Sequence, residues 1–208
     1  MAGRQVAVID YGMGNVWSVL SAFRYLGGEA TLTDDPDQII TADFLVLPGV
    51  GSFRKAMDSI RKAGMDKAIH EAVKIRGSKI LGICLGMQLL AAFGSEDGET
   101  AGLGLIGNRV DPFTPLELGH RKLPHVGFNT VRFNEQAGLF RDLPGQPDFY
   151  FVHSYRMLIE NLVGRHAICS YGTDFLAAFE TENICGTQFH PEKSQTNGLT
   201  LLRNFLYL

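Results

Sequence analysis

A cysteine lies where a short apolar strand is predicted to meet a helix. The strand covers residues 80–83 and the helix residues 85–93, so Cys84 occupies the junction, with Gly82 and Gly86 two residues to either side. This pattern is typical of a nucleophile elbow, a sharp turn at the carboxyl edge of a sheet that leaves no room for a neighbouring Cβ. The first N–H groups of the helix would point at the sulfur and favour the thiolate. Cys84 is therefore the candidate nucleophile; the alternative is a buried cysteine in a tightly packed turn.

The other two cysteines provide a contrast. Cys169 and Cys185 lie inside strand patterns without such a glycine frame, which predicts small core residues. Three cysteines is an odd number, and no two of them form a close pair or a Cys-x-x-Cys motif. We therefore expect a reducing, cytoplasmic environment and no metal site.

A cysteine nucleophile needs a base and a group that orients the base. Of the six histidines, His190 stands out because it follows a strand predicted at residues 184–188 and precedes Pro191 and Glu192. Proline disfavours a helical conformation for the residue before it, so His190 should be extended. Side chains two residues apart in an extended chain share a face, which brings the Glu192 carboxylate beside the imidazole. The order Cys84, His190, Glu192 predicts acyl transfer, although His-Pro-Glu alone would also suit a plain turn.

A glycine-containing turn follows another predicted strand, at residues 44–47. In a parallel sheet the end of this strand lies at the same edge as Cys84, and the turn Pro-Gly-Val-Gly at residues 48–51 offers backbone N–H groups to an oxyanion. A phosphate-binding turn is the competing interpretation here and at residues 11–15. Neither segment has the spacing of the common phosphate loops. We therefore interpret residues 48–51 as a candidate oxyanion hole.

The elements that would position these residues alternate along the first half of the chain. Strands are predicted at residues 5–10, 30–33, 44–47 and 80–83, with helical segments beginning near residues 15, 34, 52 and 85. Such alternation is typical of βαβ units and a parallel sheet. Short strands with little helix follow at residues 109–113, 129–133, 150–152, 166–170, 176–180 and 184–188, and a final helix begins near Thr196. We expect an antiparallel layer that continues the parallel sheet, and a single α/β domain over residues 1–208.

The composition excludes several classes of partner. The 208 residues include 24 glycines, about 12% against a usual value near 7%, as many tight strand-to-helix turns would require. Lys and Arg number 19 and Asp and Glu 22, so the net charge is −3 and a basic surface for nucleic acid is not expected. The longest uncharged run, residues 80–95, is shorter than a membrane span. Arg4 and Asp10 come too early for an apolar signal segment, and we expect a cytoplasmic protein.

These segments together resemble the class I, triad-type glutamine amidotransferases. The resemblance rests on Gly-Ile-Cys-Leu-Gly-Met-Gln at residues 82–88 and Gln-Phe-His-Pro-Glu at residues 188–192. Within that class, residues 48–51, 123–129, 151–155 and 190–194 are similar to the glutaminase subunits of imidazole glycerol phosphate synthase. The resemblance covers nearly the whole chain. It implies a flavodoxin-like, three-layer α/β fold with a mainly parallel central sheet and an antiparallel extension, and no cofactor.

The resemblance also implies a role for each site residue. Cys84 would attack the side-chain amide of L-glutamine, form a γ-glutamyl thioester and release ammonia. His190 would move the proton and Glu192 would orient His190. The remaining implied positions are the oxyanion hole, formed by Val50, Gly51 and Leu85 after the turn reorients, and the glutamine-binding residues Gln88, Glu96, Ser154 and Tyr155.

A partner is implied as well. The ammonia would pass to a (β/α)8-barrel cyclase subunit, which makes imidazole glycerol phosphate and aminoimidazole-carboxamide ribotide in histidine biosynthesis. The residues expected near this interface and the ammonia passage are Asn15, His125, Phe128, Tyr150 and Lys193. Phe128 departs from the family, which usually has Trp there; Phe keeps an apolar wedge but lacks the indole N–H donor, so we expect docking to survive.

Three alternatives stay open at this point. A paralogous amidotransferase subunit that supplies ammonia to a sugar-modifying enzyme would look very similar. A catalytically silent binding module could retain the same fold. A stand-alone cysteine hydrolase could use the same elbow on an ester or a peptide.

Overall fold

Thirteen strands and seven α-helices form within residues 4–160 and 163–208, the part of the chain that this computed structural model describes. The strands are β1 (Gln5–Ile9), β2 (Glu29–Thr33), β3 (Phe44–Gly49), β4 (Lys79–Cys84), β5 (Phe93–Gly94), β6 (Thr100–Ala101), β7 (Arg109–Pro112), β8 (His125–Phe133), β9 (Asp148–His153), β10 (Tyr155–Met157), β11 (Arg165–Tyr171), β12 (Thr173–Thr181) and β13 (Ile184–Thr187). The helices are α1 (Val16–Tyr25), α2 (Pro36–Thr41), α3 (Phe53–Lys62), α4 (Met65–His70), α5 (Leu85–Leu89), α6 (Pro115–Leu118) and α7 (Gln195–Leu206).

A nine-stranded sheet runs through the molecule in the order β2-β1-β3-β4-β13-β12-β11-β8-β9. The first five strands pair in parallel, and the four remaining pairings, from β13·β12 to β8·β9, are antiparallel. The predicted α/β fold, with a parallel sheet and an antiparallel extension, is therefore confirmed. A second, four-stranded sheet, β10-β7-β5-β6, was not predicted because two of its strands contain only two residues each.

Alternate residues of the central strands pack into two separate apolar cores. On β1, Val6 and Val8 face the core that includes α1 and α7, whereas Ala7 and Ile9 face the core that includes α3 and α4. A strand buried on both faces consists of a continuous apolar run rather than an alternating one, which is the pattern at the start of the chain. Helices thus cover both faces of the sheet, and the three-layer arrangement is confirmed.

The helix after Cys84 is shorter than predicted. It ends at Leu89, not at residue 93. The carbonyl groups that would continue the helix accept hydrogen bonds from residues 103 and 104 instead: Leu103 N–H donates to the Leu89 oxygen at 2.8 Å and Gly104 N–H to the Ala91 oxygen at 2.9 Å. Phe93 instead pairs with Ala101 and Arg109 in the second sheet, where β5 lies between β6 and β7.

The N-terminus of α1 also differs from the prediction. Asn15 precedes the helix as expected, but its side chain makes no capping bond to the backbone and instead bonds the Ser18 hydroxyl at 2.9 Å. Of the helices within the described residues, none combines the length and apolarity needed to span a bilayer.

Helix α7 packs closely on the 3-10 turn Pro191–Lys193, at Gly198. A Cβ on Gly198 would overlap the Pro191 carbonyl oxygen. Alanine is normally favoured over glycine inside a helix by about 1 kcal/mol. Here we expect Gly198→Ala to lower the free energy of unfolding by about 1–3 kcal/mol, because either the helix or Pro191 must shift.

Chemical denaturation measures this difference, with Gly107→Ala as the control. Gly107 has no neighbouring atom within 4 Å of the added Cβ, so its replacement should change the free energy of unfolding by less than about 0.5 kcal/mol. A gain in stability for Gly198→Ala would contradict the close packing.

Candidate active site

Cys84 lies in a sharp turn between β4 and α5. Its φ is 56° and its ψ −112°, a conformation that is strained for a residue with a Cβ. The turn is crowded on both sides: a Cβ on Gly86 would overlap the Leu47 carbonyl oxygen, and one on Gly82 would lie 2.6 Å from the Met87 nitrogen. The structure thus contains the elbow that the two glycines predict, with the sulfur at the start of a helix.

His190 and Glu192 lie beside this elbow. Their side chains are 3% and 1% exposed, and His190 Nδ1 is 2.8 Å from Glu192 Oε1. His190 is extended, at φ −96° and ψ 96°, as Pro191 predicts. Its backbone is held from both sides, since its N–H donates to the Tyr150 carbonyl oxygen at 2.9 Å and its own carbonyl accepts from Ser194 Oγ at 2.7 Å.

The protonation of His190 depends on two neighbouring acids. Burial by itself lowers the pKa of His190, but Cys84 and Glu192 outweigh burial and raise that pKa to about 10. Among the described residues, His190 Nε2 has no hydrogen-bond partner. The Cys84 side chain is nevertheless close enough to raise the pKa of the imidazole. The arrangement therefore favours an imidazolium whose Nδ1–H is held by Glu192 and whose Nε2–H is free to serve the cleft.

The candidate nucleophile, the candidate base and the predicted binding residues share one cleft of about 290 Å³. This volume is at the small end of the range for small-molecule sites. Its lining consists of Val50, Gly51, Cys84, Leu85, Gln88, Glu96, Pro124, Val152, His153, Ser154, Tyr155 and His190. Every predicted oxyanion-hole and glutamine-binding residue is in this set, and Glu192 lies behind His190.

A larger cavity of about 590 Å³ lies at the opposite edge of the sheet. Phe44 and Lys79, the first residues of β3 and β4, line it, and Cys84 and His190 do not. The larger of these two cavities therefore contains none of the predicted site residues.

A carboxylate lies at one side of the cleft. Glu96 is half-buried, and its Oε2 accepts the Phe53 N–H at 2.9 Å. Burial raises the pKa of Glu96 despite that hydrogen bond. Burial and the Glu96 charge likewise raise the pKa of Tyr155. This side of the cleft is thus suited to a cationic group on a bound ligand.

Two glutamines connect the sulfur to the wall of the cleft. Gln188 is fully buried, and its Nε2 lies 3.9 Å from Cys84 Sγ. Gln88 donates to Gln188 Oε1 at 2.9 Å and to the Tyr155 carbonyl oxygen at 3.0 Å. Gln188 was not among the predicted site residues, although its position two residues before His190 on one extended segment could have indicated it.

Two buried histidines form a further hydrogen-bonded chain. His125 Nδ1 is 3.0 Å from His153 Nε2, and His153 Nδ1 is 2.9 Å from the Tyr155 carbonyl oxygen. A carbonyl can only accept, so His153 carries its proton on Nδ1 and receives one from His125 on Nε2. Burial lowers the pKa of His125 to about 4 and that of His153 to about 3, which leaves both rings neutral at pH 7.

The five residues predicted near a partner differ in exposure. Phe128 is 49% exposed and contacts Tyr150 edge to face, with ring centroids 5.6 Å apart, while Lys193 lies over the Tyr150 ring at 5.9 Å. Asn15 is half-buried. His125 is buried and does not lie on the molecular surface.

The other two cysteines lie away from the cleft. Cys169 and Cys185 are buried, and burial raises the pKa of each thiol. Among the side chains that the structure describes, no group of three or more His, Cys, Asp or Glu is placed to hold a metal ion.

Comparison with known proteins shows where this arrangement belongs. The model of the family "Glutamine amidotransferase class-I" matches residues 7–208. The imidazole glycerol phosphate synthase subunit HisH 1 of Parasynechococcus marenigrum (strain WH8102) is 41% identical over 203 residues, which is 97% of this chain and 97% of that protein. The HisH subunit of Moorella thermoacetica (strain ATCC 39073 / JCM 9320) is 44% identical over 202 residues, covering 97% and 94%.

Solved structures support the fold. PurLQS from Thermotoga maritima superposes with a TM-score of 0.75 at 17% identity, covering 99% of this chain and 98% of that one. A glutamine amidotransferase from the same organism gives a TM-score of 0.66 at 17% identity, covering 99% and 97%. The chain belongs to the class I glutamine amidotransferase family and, within it, to the HisH subunits of imidazole glycerol phosphate synthase.

Proposed function

We propose that the chain hydrolyses L-glutamine to glutamate and ammonia, with Cys84 as nucleophile, His190 as proton carrier and Glu192 as the residue that orients His190. One observation supports this most directly. A cysteine in a strained turn shares a small cleft with a buried imidazole that is held at 2.8 Å by a buried carboxylate. That is the set of groups that acyl transfer through a thioester requires.

The reaction would proceed in two half-reactions. The Cys84 thiolate attacks the amide carbon of the glutamine side chain, and the His190 imidazolium gives its proton to the amide nitrogen, which leaves as ammonia. Water then attacks the γ-glutamyl thioester while neutral His190 takes a proton from it, and glutamate leaves with the thiolate restored. The raised pKa of His190 supports this role because it keeps the proton on the ring until the leaving group needs it.

Each tetrahedral intermediate carries an oxyanion that needs donors. The Leu85 N–H at the start of α5 is one candidate, since Leu85 follows the nucleophile directly and lines the cleft. The turn at Val50 and Gly51 would supply the other, because both residues line the same cleft and β3 pairs Gly49 with Cys84.

Recognition of glutamine would use the opposite wall. The Glu96 carboxylate suits the α-ammonium group, whose charge would offset the cost of burying that carboxylate. Gln88, Ser154 and Tyr155 provide amide, hydroxyl and backbone groups for the rest of the molecule. A cleft lined by a carboxylate, an amide and hydroxyl groups fits the polar ends of an amino acid better than it fits a simple ester.

We further propose that the ammonia passes to a (β/α)8-barrel cyclase subunit in a cytoplasmic heterodimer with lyase activity in histidine biosynthesis. The support is the near full-length similarity to HisH subunits and an exposed apolar segment on β8, where Val126 and Phe128 are 56% and 49% exposed. Phe128, Tyr150 and Lys193 would contact the partner, Asn15 would lie at the edge of the interface, and buried His125 would support the passage from behind.

Replacement of the nucleophile tests the reaction. Cys84→Ser should lower the rate of glutamate release by at least about 10³-fold, because a serine hydroxyl is far less acidic than a thiol and the site is built for a thiolate. Binding of glutamine, measured calorimetrically, should persist. Cys169→Ala, which changes a buried thiol outside the cleft, should keep the wild-type rate. A Cys84→Ser variant with nearly wild-type activity would remove Cys84 from the mechanism.

The orienting carboxylate has its own test. In Glu192→Gln the amide can donate to His190 Nδ1 and thereby hold the wrong tautomer, so kcat should fall roughly 10²–10⁴-fold while the fold is retained. Glutamate release and the thermal midpoint measure the two effects. Glu29→Gln, an exposed residue on edge strand β2, is the matched control and should leave both unchanged. An unchanged kcat in Glu192→Gln would show that the ring is oriented by other contacts.

The partner is tested by glutamate release from the chain alone and with the cyclase subunit, in the presence and absence of the cyclase's nucleotide substrate. We expect very low activity alone and a large increase with both additions, since Val50 is 43% exposed and docking can act on its turn. Substantial activity alone, without any response to the cyclase, would contradict this partner and indicate a different ammonia acceptor.

A further inference from the structure

A buried tyrosine hydroxyl lies behind the proposed oxyanion turn. Tyr11, which follows β1, is 5% exposed, and within the described residues its hydroxyl has no hydrogen-bond partner. A Cβ on Gly49 would overlap this hydroxyl and would lie 3.1 Å from the Gly86 nitrogen. The hydroxyl therefore lies against Gly49, in the space between the turn and the start of α5.

Tyr11 is not part of the lining of the cleft. Val50, Gly51 and Leu85 line the cleft, whereas Tyr11 and Gly49 do not. Tyr11 instead packs in the core with Leu47 and Leu85. Its backbone is also held, since Ser59 Oγ donates to the Tyr11 carbonyl oxygen at 2.6 Å.

The orientation of the peptide between Gly49 and Val50 connects the cleft with the surroundings of the Tyr11 hydroxyl. In a planar trans peptide the N–H and the C=O point in opposite directions. When the Val50 N–H points into the cleft to meet an oxyanion, the Gly49 carbonyl oxygen must point away from the cleft. A carbonyl turned into an apolar core needs a donor, and the unpaired hydroxyl is the donor in that space.

We infer that the Tyr11 hydroxyl donates a hydrogen bond to the Gly49 carbonyl oxygen when the Val50 N–H points into the cleft, and that Tyr11 is a positioning residue for the oxyanion hole. This inference rests on the proposed function. It explains why residue 49 is glycine, because the Cβ of any other residue there would overlap the Tyr11 hydroxyl. It also explains why a tyrosine is used in an apolar core, where phenylalanine would pack equally well without burying an unpaired hydroxyl.

The test is Tyr11→Phe, which removes the hydroxyl alone. We expect kcat for glutamate release to fall at least about tenfold, less than the 10²–10³-fold typical for loss of a direct oxyanion donor. The KM for glutamine should not change, because the ground-state amide does not use the oxyanion hole. The thermal midpoint should be equal or higher, because the hydroxyl has no partner among the described residues.

A second readout separates positioning from a structural effect. Iodoacetamide alkylates the Cys84 thiolate by displacement of iodide and forms no oxyanion, so its rate should be the same in Tyr11→Phe and wild type. Tyr25→Phe, which removes an exposed hydroxyl, is the control for all three measurements. The rates are measured for the chain alone and in the complex with the cyclase subunit.

Two results would overturn the inference. A wild-type kcat in Tyr11→Phe would show that the hydroxyl does not act on the turn. A lower kcat accompanied by a lower thermal midpoint and slower alkylation would assign Tyr11 a merely structural role. Failure of the proposed function is a different result, namely a wild-type chain that lacks glutaminase activity even in the complex with the cyclase subunit and its substrate, or an active Cys84→Ser variant.

Discussion

The pairing of β3 with β4 is the constraint on which the rest of the site depends. Its register sets Gly49 opposite Cys84, so the proposed oxyanion turn begins beside the proposed nucleophile. The approach is so close that Gly86 contacts the Leu47 carbonyl and Gly49 contacts Tyr11. Side chains at residues 49 and 86 would push β3 away from β4. The distance from the Cys84 sulfur to the proposed oxyanion donors would then no longer be fixed by the pairing of these two strands.

His190, the proposed base, is positioned by a second register of the same sheet. Strand β13 pairs in parallel with β4, with Thr187 opposite Ile83, and the chain therefore leaves β13 at the edge where Cys84 lies. Pro191 then bends the chain into a 3-10 turn that places Glu192 behind the ring, and α7 packs on this turn without space for a side chain at Gly198. The proposed nucleophile and the proposed base thus follow neighbouring strands whose offset cannot change without breaking the sheet.

Local patterns predicted the parts of the site that depend on local geometry. The glycines around Cys84, the extended His190 and the contact between His190 and Glu192 follow from steric limits that act over a few residues. The end of α5 could not be predicted, because it depends on hydrogen bonds that the N–H groups of residues 103 and 104 donate to carbonyl groups at and just after the end of the helix. The contact between His125 and His153 arises from the antiparallel register of β8 and β9, and no pattern in either segment alone specifies that register.

The pKa of His190 depends on its buried neighbours as much as on its own burial. Burial opposes a charged His190, and its raised pKa exists only because Cys84 and Glu192 lie on either side of the ring. Loss of either neighbour would remove an interaction that offsets burial, and the desolvation cost would then favour the neutral ring. His125 and His153 show this alternative in the same protein: they are buried with no carboxylate partner in the described residues, and burial lowers the pKa of each. Three histidines within one region therefore differ in charge because only one of them lies between two acids.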